Sequence, residues 1–263
     1  MLSIRDASLR FGDRTLWSHL DLDVRRGEFI ALLGANGSGK TTLLRAILGQ
    51  QALSSGEIMF LGEPVRHGDR RIGLVPQQGL GDATIPMRAR DLVALGLDGH
   101  RWGLPLPSPA RRRTVDRVLD EIGATPYAQA PVGILSGGER QRLRVGQALI
   151  GDPDLLLCDE PLASLDLARQ KSVSSLIDQQ RRSRNVGVIF VTHDINPVLR
   201  AVDRVLYLAE GSFRIGTPDE VMRTDVLSEL YGSHVDVIRS HGRLIVVGAQ
   251  DHFEVSSPTE EDR

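Results

Sequence analysis

The chain has 263 residues, enough for one domain with an inserted lobe or for two closely packed domains. Its 32 basic and 34 acidic residues give a formal net charge of -2, which argues against a general nucleic-acid binder. One cysteine, Cys158, excludes an internal disulfide framework, and no apolar run approaches the ~18 residues needed to span a bilayer.

The first part of the chain predicts strands around a glycine-rich loop. Ile4–Leu9 and Leu20–Val24 alternate apolar and polar residues, as half-exposed strands do. Phe29–Leu33 is continuously apolar, which predicts a strand buried on both faces of a sheet. It leads directly into GANGSGKTT and an apolar helical stripe that stops near Gly49. A strand, a glycine loop and a helix are therefore expected in succession.

The middle of the chain changes character after a short predicted strand, Ile72–Val75. Apolar residues now recur at helical spacing. A Pro- and Arg-rich stretch over residues 100–113 is typical of a surface loop. The segment from about 80 to 150 is therefore expected to be a mainly helical lobe. The predicted helices are Asp91–Leu97, Arg111–Ile122 and a third from Ser136 to about Ile150.

The last part of the chain returns to buried strands. Their alternation with helical stretches such as Leu167–Gln180 predicts a mostly parallel sheet with crossover helices. From about residue 212 the tail predicts one or two short helices and a final strand, Leu244–Val247. Residues 251–263 are expected to be a disordered tail. The predicted sheet strands are Leu155–Cys158, Val186–Val191 and Val205–Leu208.

The segment Gly34–Thr41 matches the phosphate-binding loop pattern in full. Its glycines allow successive N–H groups to face phosphate oxygens, and the following helix adds its positive end. Lys40, one of only two lysines, is expected to reach the β- and γ-phosphates of ATP, and Thr41 to ligate Mg²⁺. A simple glycine turn before a helix is the alternative. The candidate ATP-binding residues here are Gly34, Ala35, Asn36, Gly37, Ser38, Gly39, Lys40, Thr41 and Thr42.

Two carboxylates follow the predicted strand Leu155–Cys158. Asp159 and Glu160 would lie at the carboxyl end of a buried strand, where open α/β sheets bind ligands. Asp159 is expected to hold Mg²⁺ and Glu160 to polarise the attacking water. Acidic residues are also common at helix N-termini, so the pair alone is only moderate evidence for a functional site. Together with the phosphate loop it is strong evidence.

A third motif, LSGGERQ, begins at Leu135. Ser136, Gly137 and Gly138 predict a second anion-binding helix terminus. The alternative is an ordinary helix N-cap at Ser136. About a hundred residues separate this motif from the phosphate loop, which indicates that it belongs to a different site.

Together these motifs resemble the ATP-binding subunits of ABC transporters over roughly residues 1–250. The resemblance implies an α/β P-loop NTPase fold, with a mostly parallel sheet, an N-terminal antiparallel part and an inserted helical lobe that carries LSGGE. It also implies a head-to-tail dimer in which one subunit closes on the ATP of the other. Glu139 replaces the commoner glutamine and is expected to point away from phosphate. The residues implied to face the opposite subunit's ATP are Ser136, Gly137, Gly138, Glu139 and Asp166.

The resemblance assigns roles to further positions. Phe11 matches the ring that stacks on adenine, with a core phenylalanine as the alternative. Gln77 matches the glutamine that senses Mg²⁺ and water, and Gln78 is the other register. His193 matches the histidine that contacts the γ-phosphate. The implied catalytic residues are Glu160, His193, Gln77 and Lys40, and the implied Mg²⁺ ligands are Thr41, Gln77 and Asp159.

The same resemblance implies a function and a domain plan. The expected function is ATP hydrolysis as the motor of a membrane importer, at the cytoplasmic face of the membrane. The expected partners are a polytopic permease, a second copy of the chain and, indirectly, a substrate-binding protein. The metal-cation branch (zinc, manganese or iron) is the expected type. A siderophore or cobalamin importer and a soluble ATPase of iron–sulfur assembly are the alternatives. The implied domains are residues 1–80 with 151–215 as the nucleotide-binding core, 81–150 as the helical lobe and 216–250 as a C-terminal extension.

Two smaller clusters remain open. His234, His241 and His252 match no compact ligand spacing, so exposed histidines are favoured over a regulatory metal site. Arg111–Arg113 is typical of a solvated helix start, with contact to a membrane partner or to lipid head groups as the alternative.

Overall fold

A computed structural model describes residues 1–77, 87–98, 108–209 and 211–248. The strands are β1 Leu2–Phe11, β2 Arg14–Val24, β3 Phe29–Gly34, β4 Ser55–Phe60, β5 Glu63–Pro64, β6 Ile72–Val75, β7 Leu155–Asp159, β8 Gly187–Val191, β9 Arg204–Ala209, β10 Ser212–Gly216, β11 Val235–Ser240 and β12 Arg243–Gly248. The α-helices are α1 Lys40–Ile47, α2 Ala89–Asp98, α3 Pro109–Glu121, α4 Gly137–Leu149, α5 Leu167–Arg184, α6 Pro218–Val221 and α7 Thr224–Tyr231. Within these ranges, no helix combines the length and the apolar character needed to cross a bilayer.

The central sheet has six strands in the order β10-β9-β3-β8-β7-β6. The strands from β9 to β6 pair in parallel, and only β10 joins antiparallel at the edge. Helices cross over between the parallel strands, as the alternating sequence pattern predicts. The expectation of a mostly parallel sheet is confirmed. Because parallel strands end at the same edge, the residues that follow β3, β6, β7 and β8 meet there.

Both faces of this sheet are covered, so there are two hydrophobic cores. Strand β3 supplies alternate residues to each: Phe29 and Ala31 face the helical side, whereas Ile30 and Leu32 face the N-terminal sheet. All four side chains are buried. The continuous apolar run of this strand is therefore explained by burial on both faces of the sheet, as the sequence predicted.

The N-terminal part is an antiparallel sheet in the order β2-β1-β4-β5. Its first two strands are longer than the predicted Ile4–Leu9 and Leu20–Val24. The start of β2 has a local cause for the difference: His19 adopts a positive φ of 54° directly before the predicted start at Leu20, and the β1–β2 register shifts nearby. This irregularity interrupts the alternation of apolar and polar residues from which the length of β2 was inferred.

Among the described residues between β6 and β7 lie three α-helices, α2 to α4, and they coincide with the predicted helices to within two residues. The Arg184 guanidinium of α5 joins this part to the rest of the chain. It donates to the Leu149 carbonyl at 3.0 Å and to Asp152 at 2.7 Å, and it pairs with Glu121 at the end of α3. Most of the predicted surface loop at 100–113 lies outside the described residues, as does the predicted disordered tail.

The tail contains two strands that were not predicted, β10 and β11. The final strand β12 pairs with β11 as a hairpin, and only β12 was expected from its apolar pattern. Asn196 fixes the hairpin to the core, since its side chain donates to the Leu244 carbonyl and accepts from the Leu244 N–H, both at 2.8 Å. His234 and His241 are exposed and contact Asp236 and Ser240. His252 lies outside the described residues, among which no three potential metal ligands cluster.

Candidate functional site

The candidate site lies where parallel strands β3, β8, β7 and β6 end side by side. The phosphate loop follows β3, Glu160 follows β7, His193 follows β8 by two residues, and Gln77 follows β6 by two residues. These residues are up to 159 positions apart along the chain, yet strand order brings them to one edge. The structure therefore groups the residues predicted to act on ATP, as expected for an open α/β sheet.

The phosphate loop is shaped by three glycines with positive φ. Gly34, Gly37 and Gly39 have φ values of 143°, 78° and 97°, conformations that L side chains rarely adopt. A Cβ at Gly34 would lie 2.2 Å from the Leu208 carbonyl oxygen of β9. The loop thus fits tightly against the neighbouring strand, and glycine is required both for its φ and for its lack of a side chain.

Replacing Gly34 by alanine is therefore expected to lower the free energy of unfolding by about 2–4 kcal/mol, the sum of backbone strain and overpacking. Gly62→Ala is the matched control, because Gly62 also has positive φ (84°) but no atom lies within 4 Å of a Cβ there. Denaturant unfolding of both variants separates the two causes. Equal stability of the two variants would contradict the tight fit at Gly34.

The Lys40 side chain is buried within the loop at 6% exposure. Its ammonium donates to the carbonyls of Gly34 at 2.7 Å and Ala35 at 2.9 Å. Burial lowers the pKa of Lys40 below its ordinary value, and the carboxylates Glu160 and Asp159 act against that shift. The charge is thus held inside the loop by two neutral oxygens, a position from which it can turn toward a bound phosphate.

Thr41 and Asp159 face one another across the end of the sheet. The Thr41 hydroxyl donates to Asp159 Oδ1 at 3.3 Å. Burial is the largest cause that raises the pKa of Asp159, while the Thr41 hydrogen bond lowers it. Two hard oxygen donors side by side, one from a partly desolvated carboxyl, match the ligand chemistry of Mg²⁺.

Glu160 makes two contacts that the sequence order could not show. Its Oε1 lies 2.6 Å from His193 Nε2, and its Oε2 accepts from Gln77 Nε2 at 3.3 Å. Glu160 also has a positive φ of 47°, and strain of this kind in a non-glycine residue concentrates at functional sites. Glu160, His193 and Gln77 therefore form one hydrogen-bonded group beside the phosphate loop. Gln78, the other register, lies outside the described residues.

Phe11 ends β1 and is 51% exposed, so the alternative of a core phenylalanine is wrong. It pairs with Arg14 across the turn, and the Arg14 guanidinium donates to the Gly37 carbonyl at 2.8 Å. Arg14 thus joins the Phe11 turn to the phosphate loop. Sequence reasoning missed Arg14, since an exposed arginine near a turn carries no spacing signal.

Ser136 and Glu139 form a reciprocal capping box at the start of α4. Glu139 Oε2 accepts from the Ser136 hydroxyl at 2.7 Å and from the Ser136 N–H at 2.8 Å. These hydrogen bonds are the largest causes that lower the pKa of Glu139. The carboxylate is therefore directed back at the N-cap residue, and both the N-cap and the anion-site interpretations of Ser136 remain compatible with this geometry.

The Glu139 contact predicts a pH-dependent contribution to stability. Because its folded pKa lies below the ordinary 4.5, the contribution is present above that pH and is lost as the pH falls through the folded pKa. Glu139→Ala should unfold about 1 kcal/mol more easily at pH 7, the usual value of a cap. Urea unfolding at stepwise lower pH should show this deficit shrinking. A deficit that stays constant to pH 3 would exclude the ionised capping box as its source.

Asp166 lies next to the Ser136 segment through Arg169. Asp166 caps α5 by accepting from the Arg169 N–H at 3.0 Å, and their side chains pair at 3.1 Å. A Cβ at Gly138 would lie 3.1 Å from Arg169 Cδ, so the glycine gives the arginine room. Ser136, Gly138 and Asp166 thus form a second surface. Arg169, which connects them, was not predicted.

The phosphate loop offers features that fit a bound triphosphate. The Ser38 hydroxyl is buried and has no hydrogen-bond partner among the described atoms. A buried donor without a partner costs free energy unless a ligand or water satisfies it. With the positive-φ glycines around it and Lys40 at its base, the loop has the donors and the space that phosphate oxygens need.

Comparison with known families gives a match to the model described as ABC transporter over residues 17–163. Two curated relatives are 33% identical over 233 residues, and each is named spermidine/putrescine import ATP-binding protein PotA, from Bacteroides fragilis and Bacteroides thetaiotaomicron. The alignments cover 87% of this chain and 49% of each relative. The chain therefore spans about half the length of the curated relatives it matches.

Solved structures give similar folds. One is an inward-facing conformation of a transporter assigned to the metal-chelate ABC type, with a TM-score of 0.78 and 27% identity over 93% of this chain and 95% of that one. Another is cbiO1 from Clostridium perfringens, part of the cbiONQ transporter complex, with a TM-score of 0.73 and 26% identity over 87% and 92% of the two chains. A nucleotide-free ATP-binding cassette with a TM-score of 0.74 is 19% identical and supports the fold alone.

Proposed function

We propose a function from the premise that this chain belongs to the ABC transporter family: it binds and hydrolyses ATP as the motor subunit of a membrane importer. The observation that carries the proposal is the meeting of the phosphate loop with the Glu160 group at one sheet edge. Lys40 supplies charge on one side of the edge, and Glu160 supplies a base on the other. This is the arrangement that phosphoryl transfer to water requires.

The steps assigned to the chain's residues follow from their present contacts. Lys40 exchanges its two carbonyl partners for phosphate oxygens and so compensates the charge that develops in the transition state. Glu160 accepts a proton from the attacking water while His193 and Gln77 hold its carboxylate in place. Mg²⁺ would be held by Thr41, Asp159 and Gln77 and would neutralise phosphate charge when bound.

Phe11 and the second surface complete the proposed site. The exposed Phe11 ring offers a face on which an adenine can stack. Ser136, Gly138 and Asp166 belong to a different part of the chain and are proposed to face the ATP of a second copy in a head-to-tail dimer. Hydrolysis is then a property of two chains. The proposed division is a nucleotide-binding core, the helical lobe of α2 to α4 and a C-terminal extension that begins near residue 216.

The cargo is proposed as a metal cation or metal chelate, and polyamine import is the second candidate. The metal proposal is supported by similarity to the transporter of the metal-chelate type, which extends over 93% of the chain. The polyamine candidate is supported by the two PotA relatives. These relatives do not support the expected metal-cation branch, so the sequence resemblance alone was too weak a guide to cargo.

Uptake in cells that lack the gene tests the cargo directly. Radiolabelled Zn²⁺, Mn²⁺, iron, a siderophore, cobalamin and spermidine are supplied in parallel, and the wild-type gene is restored as the control. Loss of one metal or chelate supports the metal proposal, whereas loss of spermidine uptake alone replaces it by polyamine import. If every cargo enters normally, both proposed cargo classes are wrong.

Co-purification in detergent tests the partner. An importer motor at the cytoplasmic face is expected to co-purify with a polytopic permease. Recovery of soluble scaffold proteins in place of a permease would favour the alternative, a soluble ATPase of iron–sulfur assembly.

A further inference from the structure

A cleft of about 800 Å³ lies beside the N-terminal ends of α2 and α3. Its volume is within the range of small-molecule sites. None of its described lining residues belongs to the phosphate loop, the Glu160 group or the Ser136 surface. The cleft is therefore a separate feature, and its charged lining residues are Arg88, Arg90, Arg111, Arg112, Arg113 and Asp91.

The lining is strongly positive. Among the described residues Asp91 is the only carboxylate that lines the cleft, against five guanidinium groups. Arg90 pairs with Asp116 at 3.1 Å, so a carboxylate outside the lining compensates the charge of this one arginine. Arg88 donates to the neutral amide of Gln129 at 3.1 Å. No described carboxylate lies within ion-pair distance of Arg112 or Arg113. An excess of positive charge therefore remains in the cleft.

The position of the arginines on α3 increases this excess. Arg111, Arg112 and Arg113 lie in the first part of the helix, and its first turn has no acidic residue. A helix N-terminus carries a partial positive charge, so cations there are unfavourable, whereas anions are stabilised. The arrangement opposes the usual preference of helix ends. A bound anion would compensate both the guanidinium groups and the helix terminus.

We propose that this arginine cleft is a second phosphate-binding site, distinct from the ATP site, for a ligand that carries several phosphate groups or for phospholipid head groups. Guanidinium groups bind phosphate oxygens through paired, charge-assisted hydrogen bonds. Several of them around one cleft select a ligand with more than one negative charge. The site goes beyond the ATPase function and does not depend on it.

Two probes distinguish the sources of phosphate. Flotation with phosphatidylcholine vesicles that contain or lack phosphatidylglycerol tests the lipid arm. Calorimetric titration with inorganic tripolyphosphate tests the soluble arm, in a Lys40→Met background that removes the main phosphate donor of the ATP site. Binding in either arm should weaken about 10- to 100-fold in the Arg112→Gln/Arg113→Gln double variant. It should also weaken as KCl is raised, because salt screens the contact.

The matched control is Arg66→Gln/Arg70→Gln, which removes the same charge from two exposed arginines outside the cleft. Loss of vesicle binding only in the cleft variant assigns the site to lipid, and loss of tripolyphosphate binding only there assigns it to a soluble polyphosphate. The proposal is overturned if neither probe binds, or if both double variants weaken binding equally. Unchanged ATPase activity in the cleft variant that retains Lys40, and an unchanged denaturant midpoint in the Lys40→Met background, are the checks that the protein remains folded.

Discussion

Replacing Glu160 by glutamine is expected to lower ATP turnover by about 10²–10⁴-fold and to leave ATP binding intact. The amide keeps the size and one acceptor of the carboxylate, so contact with His193 and Gln77 can persist. It cannot accept the proton of the attacking water. The unhydrolysed nucleotide should then hold two copies together. Phosphate release measures turnover, and size-exclusion chromatography with ATP detects the trapped dimer.

Glu229→Gln is the control for this experiment. Glu229 is an exposed glutamate that pairs with Arg214 at 2.6 Å, so its replacement makes the same chemical change away from the sheet edge. Its turnover should equal that of the wild type. If Glu160→Gln retains more than about a tenth of wild-type turnover, Glu160 is not the general base.

Replacing Lys40 by methionine is expected to weaken ATP binding by about 100-fold or more, because each hydrogen bond from a charged donor contributes ~1.5–3 kcal/mol. The fold should tolerate the change. Burial lowers the pKa of Lys40, so the charged side chain opposes folding at neutral pH. That cost declines as the pH rises past the folded pKa and is gone above the ordinary value of 10.5. The free energy of unfolding without nucleotide should therefore fall by no more than about 1 kcal/mol.

Lys171→Met is the matched control, because Lys171 is the only other lysine and is exposed on α5. Fluorescent-nucleotide titration gives the two affinities, and denaturant unfolding gives the two stabilities. Equal ATP affinity in both variants would remove Lys40 from the proposed phosphate contacts. A large loss of stability at Lys40 alone would show that its carbonyl contacts serve mainly the fold.

The sequence predicted the parallel sheet well because buried strands carry a local signal. A strand such as β3 or β7 must be apolar on both faces, and this run is visible without knowledge of its neighbours. Strands β10 and β11 were missed for the opposite reason. Strand β10 has no fully buried residue, and β11 is mostly exposed, so each is a strand only through its partner.

The candidate site divides in the same way. The loop Gly34–Thr42 and the acidic pair Asp159–Glu160 are contiguous, so spacing alone identified them. The contacts of Arg14 with Gly37 and of Arg169 with Gly138 join distant segments through long side chains. Sequence periodicity does not reveal contacts between distant segments, and only the folded structure shows them. The sequence motifs did not identify the cargo, because no residue of the candidate site is proposed to contact it.

The pairing of β6 with β7 has a mechanical consequence. These neighbouring strands are in register from Ile72 opposite Leu155, yet the chain between them includes three helices. The chain leaves the sheet at the edge occupied by Gln77 and re-enters at the opposite edge, before Leu155. Gln77 therefore lies where the chain departs from the sheet toward the helices. Since Gln77 contacts Glu160, a displacement of this end of β6 would change the contacts of Glu160.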